Sequence, residues 1–363
     1  MKKLLSFLMV ALLGLFLVAC GSESTGTEEQ TKEQTSETSE SSDEGTAAVD
    51  LSRIRVLIGS TSTGGDTYQI ADLISRNIAE TLDTNIKVDA VGSERAFNEL
   101  AKAKNDGSEV MVFHDMAYLG VEYGSFDEKN ALENWTIGPV FATNPGNAFL
   151  TSADAPYNTM AEAAEWLKNN PSEELSVAIE AGGVSQIGFD GFYLWVKEQY
   201  GTEVSDRIKV YVTGSQKDKD QALWDGNVDI IHGSIGANNE YTKDEVDSKI
   251  KMKFLGLTAG DRVEGYDIPT FAEQGITVNG KEFVFDKEFF FILPKDIDQT
   301  FLTALDQAVA KAAETDGYQN DLLKNAYMAN YKPQAESVDY LLEKRDTLRY
   351  IIQNAPKLDD IAK

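Results

Sequence analysis

Histidine and cysteine, the side chains that most often carry nucleophilic or metal chemistry, are nearly missing from this sequence: it has two histidines, His114 and His232, and one cysteine, Cys20. Two isolated histidines do not supply the clustered ligands of a metal site, so neither a metal nor a cofactor is expected. A serine hydrolase would need Ser62 or Ser234 set against a histidine and an acid, and no G-x-S-x-G elbow is present. What the sequence does offer is main-chain chemistry. The turns Gly59-Ser60-Thr61-Ser62-Thr63-Gly64-Gly65-Asp66-Thr67 and Ala181-Gly182-Gly183-Val184-Ser185-Gln186 each follow a β-rich apolar run and precede an amphipathic one. At such a place backbone N–H groups face outward and a helix adds its N-terminal dipole, which suits a carboxylate or phosphate without any Lys or Arg. Hydroxyls at Ser60, Thr61, Thr63, Thr67 and Ser185 add donors. Gly64-Gly65-Asp66-Thr67 lacks the Walker lysine and neither turn reads G-x-G-x-x-G, which argues against nucleotides.

Glycines also serve tight turns, and Asp66 or Thr67 also serves as a helix cap. Two such turns more than 100 residues apart, one per lobe, would grip the two ends of one small molecule. Asp66 either caps its helix or faces a ligand ammonium; the sequence leaves both open. His114 and Asp115 follow one strand end and His232, Gly233 and Ser234 another, where ligand-facing residues sit; Thr213 follows a third. Arg95 would pair a ligand carboxylate or form a salt bridge with Glu94 or Glu99. Phe113, Tyr118, Phe189, Tyr211 and Phe289 read mostly as core.

The elements that position these residues alternate. Strands are expected at 54–58, 86–88, 110–113, 135–143, 148–151, 175–179, 209–212, 228–231, 254–258 and 289–293. Helical spacing of apolar residues falls at 68–82, 95–104, 160–169, 187–200, 216–224, 298–315, 318–326 and 335–354. Strands alternating with helices imply parallel sheets covered on both faces. More strands are present than one compact sheet takes, and residues 51–363 are many for a single core, so two α/β lobes are expected.

The first residues read as an address. Lys2 and Lys3 precede the apolar run Leu4–Val18, of about 15 residues, short for a membrane span and suited to a secretory signal. Leu17-Val18-Ala19-Cys20-Gly21 resembles a bacterial lipobox, which would make Cys20 the lipidated mature N-terminus and 1–19 a signal peptide. Residues 20–50, rich in Ser, Thr, Glu and Gly, are expected to form a disordered acidic tether. The formal charge of −27 would become −29 on losing the two lysines. A body this acidic is a poor nucleic-acid ligand and is repelled by anionic lipid surfaces.

Several motifs, in order over roughly residues 53–352, resemble the extracytoplasmic receptors of tripartite tricarboxylate transporters, the TctC or Bug family. The first turn resembles that family's Pro-Gly-Gly-Gly-Thr-Asp, with Gly64, Gly65 and Thr67 matching, Asp66 in place of a glycine and Tyr68 on the family's aspartate. Lys104-Asn105-Asp106-Gly107, Ala155-Pro156-Tyr157-Asn158-Thr159, Gly182-Gly183-Val184-Ser185 and Tyr211-Val212-Thr213-Gly214 resemble further family segments. Gly226-Asn227-Val228-Asp229 is close to Gly-Gln-Val-Asp, and Asp267-Ile268-Pro269-Thr270-Phe271-Ala272-Glu273-Gln274-Gly275 to Asp-Val-Pro-Thr-Val-Ala-Glu-Ala-Gly. The resemblance implies a two-lobe periplasmic-binding-protein type II fold, each lobe a mainly parallel sheet flanked by helices. The lobes would be 51–148 with 256–363, and 149–255, joined by crossovers near Asn147–Thr151 and Phe254–Thr258. It implies a monomeric, lipid-anchored receptor on the extracytoplasmic face of the cell membrane, with no chemistry of its own. Such a receptor binds a small organic acid through main-chain N–H groups, hydroxyls and waters, and serves integral-membrane transporter subunits. The departures fall mostly in the ligand turns. They leave room for a phosphonate or amino-acid-like ligand, or for a sensor feeding a two-component system.

Overall fold

The computed structural model describes residues 51–363. Its strands are β1 (Arg53–Ile58), β2 (Asn85–Ala90), β3 (Glu109–His114), β4 (Thr136–Asn144), β5 (Asn147–Ser152), β6 (Leu175–Ile179), β7 (Ile208–Val212), β8 (Ile230–Ser234), β9 (Met252–Leu257), β10 (Thr277–Val278), β11 (Lys281–Glu282), β12 (Lys287–Leu293) and β13 (Met328–Lys332). Its α-helices are α1 (Asp66–Ala79), α2 (Ser93–Leu100), α3 (Met116–Glu122), α4 (Met160–Asn169), α5 (Val184–Tyr200), α6 (Thr202–Ser205), α7 (Gln216–Trp224), α8 (Ile235–Asn238), α9 (Gln299–Ala313), α10 (Asp316–Leu323) and α11 (Gln334–Asn354). Two sheets organise the fold. The first runs β13-β4-β12-β3-β1-β2, the second β7-β6-β8-β5-β9. Together they give the two-lobe α/β architecture expected of a type II periplasmic-binding-protein fold.

Each sheet is mixed. Where helices connect the strands, as in β1-β2-β3 and β6-β7-β8, pairing is parallel. The strands that enter or leave a lobe, β4, β5, β9 and β12, pair antiparallel. A strand buried on both faces must be apolar throughout, with neighbours in sequence facing opposite ways. Val110, Val112, Phe289, Phe291 and Leu293 join the core beneath α1 and α9, whereas Met111, Phe113, Phe290 and Ile292 join the core on the other face. The second sheet divides likewise, with Phe149 and Ile230 on one face and Ala148, Leu150 and Ile231 on the other.

The chain leaves the first sheet at Asn144 and starts the second at Asn147. In this link Gly146 N–H donates to Asn144 Oδ1 (2.8 Å) and Asn147 Nδ2 to the Asn144 carbonyl (3.2 Å). The return passes through Thr258 and Phe285, whose backbones hydrogen-bond while the Thr258 hydroxyl donates to the Phe285 carbonyl (2.7 Å). Between these two positions the chain makes an excursion in which Phe271 stacks near Phe149 and Phe283 near Phe271. The expected lobe limits at 148/149 and 255/256 lie within β5 and β9.

Four local differences from the sequence reading have physical causes. Helix α3 was not expected because Met116–Glu122 is too short to show a period. Strand β13 was not expected because half-exposed Met-Ala-Asn-Tyr-Lys has no apolar alternation; pairing with β4 makes it a strand. Strand β8 begins and ends later than expected, because antiparallel pairing of Asn147 with Ser234 and Phe149 with His232 extends it, so His232–Ser234 lie inside the strand. Tyr211, near the end of β7 at the edge of its sheet, is 37% exposed and not core.

The lobes touch. One core cluster holds both Phe97 and Tyr118 of the first lobe and Phe189 and Phe192 of the second. Tyr123 Oη, just past α3, donates to Asp190 Oδ2 on α5 at 2.6 Å. Asp190 is fully buried and its Oδ1 has no hydrogen-bond partner. Burial pushes its carboxyl up to about 7, against the hydrogen bonds from Tyr123 and Gln186 that favour the charged form. The folded protein therefore holds this proton where the unfolded chain releases it, and the contribution to stability is lost as pH rises from about 4 through about 7. The Asp190→Asn variant should remove that dependence. Measured by denaturant unfolding, its stability relative to the parent should rise between pH 4 and pH 8 by up to about 4 kcal/mol; a flat difference would show that Asp190 ionises normally.

Candidate functional site

Strand β1 delivers its chain to the first Gly-rich turn at Gly59, where a Cβ would stand only 2.1 Å from the Phe113 ring. The turn is largely held by itself. Ser62 N–H donates to Ser60 Oγ (3.0 Å) and Gly64 N–H to Ser62 Oγ (3.2 Å). Thr61, Thr63 and Gly64 are exposed, and a Cβ on Gly65 would meet nothing within 4 Å, so this stretch of backbone borders open space. Gly65 caps α1, and Asp66 is the helix's first residue.

Asp66 takes neither of the two roles left open by the sequence in simple form. Its Oδ1 accepts from Thr67 N–H (2.7 Å), and its Oδ2 pairs with Lys287 Nζ (2.5 Å). Burial alone would raise its carboxyl; the Lys287 ammonium outweighs that and holds it at about 2. Lys287 is the first residue of β12, paired across to Asn144 at the crossover. Its Nζ lies 5.2 Å from the Phe289 ring centroid, and Phe289 meets His114 edge-on at 5.7 Å. His114 Nδ1 accepts from Met116 N–H (3.2 Å), which leaves the proton on Nε2. Burial, then the Lys287 charge, pushes this imidazole well below its usual value, so it is neutral. Asp115 is wholly buried and engaged: it accepts from Tyr118 Oη (2.5 Å) and Glu288 N–H (2.5 Å) and pairs with Lys344 (2.7 Å). Those partners hold α3 and α11 to the sheet.

In the second lobe, β6 leads into Gly182, at φ +80°, and α5 starts at Val184 after Gly183. Here too side chains brace the turn: Gly182 N–H donates to Gln186 Oε1 (2.7 Å) and Glu180 N–H to Ser185 Oγ (3.1 Å). The turn lies directly against the first lobe. A Cβ on Gly183 would stand 2.3 Å from Met116 Sδ, and one on Gly182 2.3 Å from Ser125 Oγ. Beside it, Lys219 of α7, only 2% exposed, pairs with Glu180 (3.0 Å). His232 is buried against Phe149, ring centroids 5.4 Å apart, and neither ring nitrogen has a hydrogen-bond partner. Burial, then Lys219 and Lys287, pushes its imidazole well below the usual value. A cation from each lobe thus acts on one histidine.

The remaining expected residues have local duties. Ser234 caps α8 by accepting from Ala237 N–H (3.2 Å), and Thr213 Oγ1 donates to the Ser215 carbonyl (3.4 Å). Arg95 forms the salt bridge with Glu99 (2.5 Å) beside a surface cavity of about 510 Å³ lined in part by Gly92, Ser93 and Lys102. Among the described residues no hydrogen bond or ion pair joins the Ser60–Thr67 turn to the Gly182–Gln186 turn. Among the described residues, no group of three His, Cys, Asp or Glu is placed to hold a metal, and no helix is long and apolar enough to cross a membrane. The sequence reading did not single out Lys287 or Lys219. Lys219 sits in the charged run Gln216–Asp220, which looks solvated; Lys287 had a signal, the three charged residues Asp286-Lys287-Glu288 interrupting the apolar run Phe283–Leu293.

The family described as tripartite tricarboxylate transporter family receptor, TctC, matches residues 69–355. No curated protein matches the sequence. Among solved structures, MatC from Rhodopseudomonas palustris with bound malate is similar at 18% identity over 83% of this chain and 99% of that one, with a TM-score of 0.64. A second R. palustris protein, with adipate, is 18% identical over 84% and 99%, TM-score 0.66. A TctC solute-binding protein from Polaromonas is 17% identical over 84% and 98%, TM-score 0.63. At these identities the likeness is one of fold.

The Lys287–Asp66 pair makes a prediction of its own. Asp66 contributes stability that is present above its unfolded value near 4 and lost as pH falls through about 2. Lys287→Met should cost roughly 1–3 kcal/mol at pH 7, less than a wholly buried pair because Asp66 keeps part of its exposure. It should also flatten the acid limb between pH 4 and 2. Adding Asp66→Asn should restore part of the loss; no restoration in the double variant would refute the pairing.

Proposed function

The chain belongs to the tripartite tricarboxylate transporter receptor family, and from that premise we propose that it is an extracytoplasmic, lipid-anchored solute-binding protein. In this reading it captures a small carboxylate-bearing molecule between its lobes and hands it to integral-membrane permease subunits. One observation supports this site: the turn after β6 lies against the first lobe at Met116 and Ser125, so the start of α5 is at the boundary between the lobes. The first-turn N–H groups of a helix have no intrahelical partner, and at α5 they come from Gly183, Val184 and Ser185. In this reading the open backbone of Thr63–Gly65 and the Lys287–Asp66 pair would face it from the first lobe. The malate and adipate of the two R. palustris relatives support a carboxylate ligand.

Binding here needs no bond to be made or broken. Ligand shifts the lobes toward a closed arrangement only as far as its affinity for that arrangement exceeds its affinity for an open one. The crossovers at Asn144–Asn147 and at Thr258 and Phe285 are where such a motion would turn. The permease would then recognise closure.

Two measurements test this reading. Thermal unfolding of the protein lacking residues 1–19 should shift upward by several degrees with at least one small carboxylate from a panel of dicarboxylates, tricarboxylates, hydroxy acids and amino acids. At a hundredfold excess over Kd the stabilisation is about 2.7 kcal/mol. A panel without any shift would sink the proposal. Cys20 and the expected tether at 20–50 lie outside the described residues; Cys20→Ser should move the protein from the membrane to the soluble fraction and abolish incorporation of labelled palmitate. Retention at the membrane would refute the lipid anchor.

A further inference from the structure

The charges around the gap are already balanced. Lys287 is paired with Asp66 at 2.5 Å and Lys219 with Glu180 at 3.0 Å. Asp220, next to Lys219, accepts from Gln216 and Asn238 and adds no cation. Arg95, in the first turn of α2, is tied to Glu99 and Arg55 to Asp89, Glu99 and Glu109. The two helix N-termini are not equivalent either. At α1 a carboxylate is already in place, because Asp66 Oδ1 accepts from Thr67 N–H while Oδ2 holds Lys287. A helix N-terminus carries about half a positive charge, and here the chain's own side chain occupies it. At α5 no acidic residue stands in the first turn.

A second observation points to the same end of the gap. His232 is 7% exposed and has no partner on either nitrogen. It pairs with Phe149 on the face of the second sheet that α5 covers: a Cβ on Gly188, in the second turn of α5, would lie 3.2 Å from the Phe149 ring. A neutral imidazole offers one donor and one acceptor, and a buried one left unpaired costs stability of the order of 1–3 kcal/mol. Such a group, on the sheet face that α5 covers, is suited to a ligand.

We infer that this receptor selects small acids bearing a single ionised carboxylate and, at the other end, a hydrogen-bond donor. The carboxylate is received at the start of α5 beside His232, and the donor, a hydroxyl or an ammonium, by Asp66. This rests on the solute-binding reading above and narrows it. A dianion would bring its second carboxylate against Asp66, where like charges repel and no uncommitted cation compensates. Asp66 is thus a specificity-determining residue, placed where the resembling family sequences carry glycine.

Isothermal titration of the protein lacking residues 1–19 tests this with matched probes: adipate against 6-hydroxyhexanoate and 6-aminohexanoate, and malate against 3-hydroxybutyrate and 3-aminobutyrate. At least one monocarboxylate should bind at least tenfold tighter than its matched dianion, and comparison of the hydroxy and amino probes identifies the donor. His232→Phe should weaken that probe at least tenfold, with His232→Gln recovering part of the loss. Asp66→Asn should raise the affinity for the matched dianion at least tenfold, since it frees both Lys287 and the α1 N-terminus; a misfolded variant could not gain affinity. Dianions binding as tightly as monocarboxylates in the parent, or no gain for dianions in Asp66→Asn, would overturn the inference and leave the solute-binding reading standing. Failure of both classes to bind would remove both.

Discussion

Lys287 is the residue on which the first lobe's side of the gap depends. Its backbone lies at the crossover, paired with Asn144, and its side chain reaches the first turn of α1. The pair therefore ties the strand that returns from the second lobe to the turn that borders the gap. A charge this buried is stable only with a partner, so the ammonium and the Asp66 carboxylate fix one another. Phe289 beneath the ammonium and His114 beyond it add an aromatic floor. The neutral state of His114 follows from its burial and, after that, from the Lys287 charge beside it.

The second lobe repeats the device with other residues. Lys219 is more buried than Lys287 and is paired with Glu180, the residue that follows β6 and begins the second turn. In both lobes a lysine from a different element anchors a carboxylate beside a Gly-rich turn. Around these pairs the backbone is held by small polar side chains: Ser60 and Ser62 in one turn, Ser185 and Gln186 in the other. Those bonds fix the turns' shape from within the chain, which would reduce the ordering cost of binding there. Tyr123 and Asp190 add a polar contact across the lobes, and its buried carboxyl makes that contact sensitive to pH in the neutral range.

The large elements were legible because they are buried on one or both faces. Alternation along β12, with Phe289 and Phe291 on one face and Phe290 and Ile292 on the other, leaves a run that only a strand buried on both sides can use. The helical spacing of Ile70, Ala71, Leu73, Ile74 and Ile78 showed where α1 would pack. Strand β13 and helix α3 were not legible, because partners distant in sequence define them. In the site, glycine and hydroxyl residues marked the turns, since main-chain geometry imposes itself on composition. Ion pairs leave no such mark. Asp66 and Lys287 are 221 residues apart, and no spacing rule joins them. Asp115 and Ser234 stood at strand ends as a ligand residue would, yet burial and capping engage them locally.

The replacement of a small residue by Asp66 shows how far one carboxylate alters a binding turn. A turn of glycines before a helix is an anion site because partial positive charge has nothing to neutralise it. Placing aspartate at the first helical position supplies the anion internally. Lys287, which would otherwise strengthen the site for an incoming carboxylate, is spent on the side chain instead. In the proposed reading the turn's preference moves from anions toward donors, while the fold-level likeness to the malate- and adipate-bound structures remains. Affinity at such a site would be set by differences among a few paired charges, so the shape of the lobes and the choice of solute would rest on different residues.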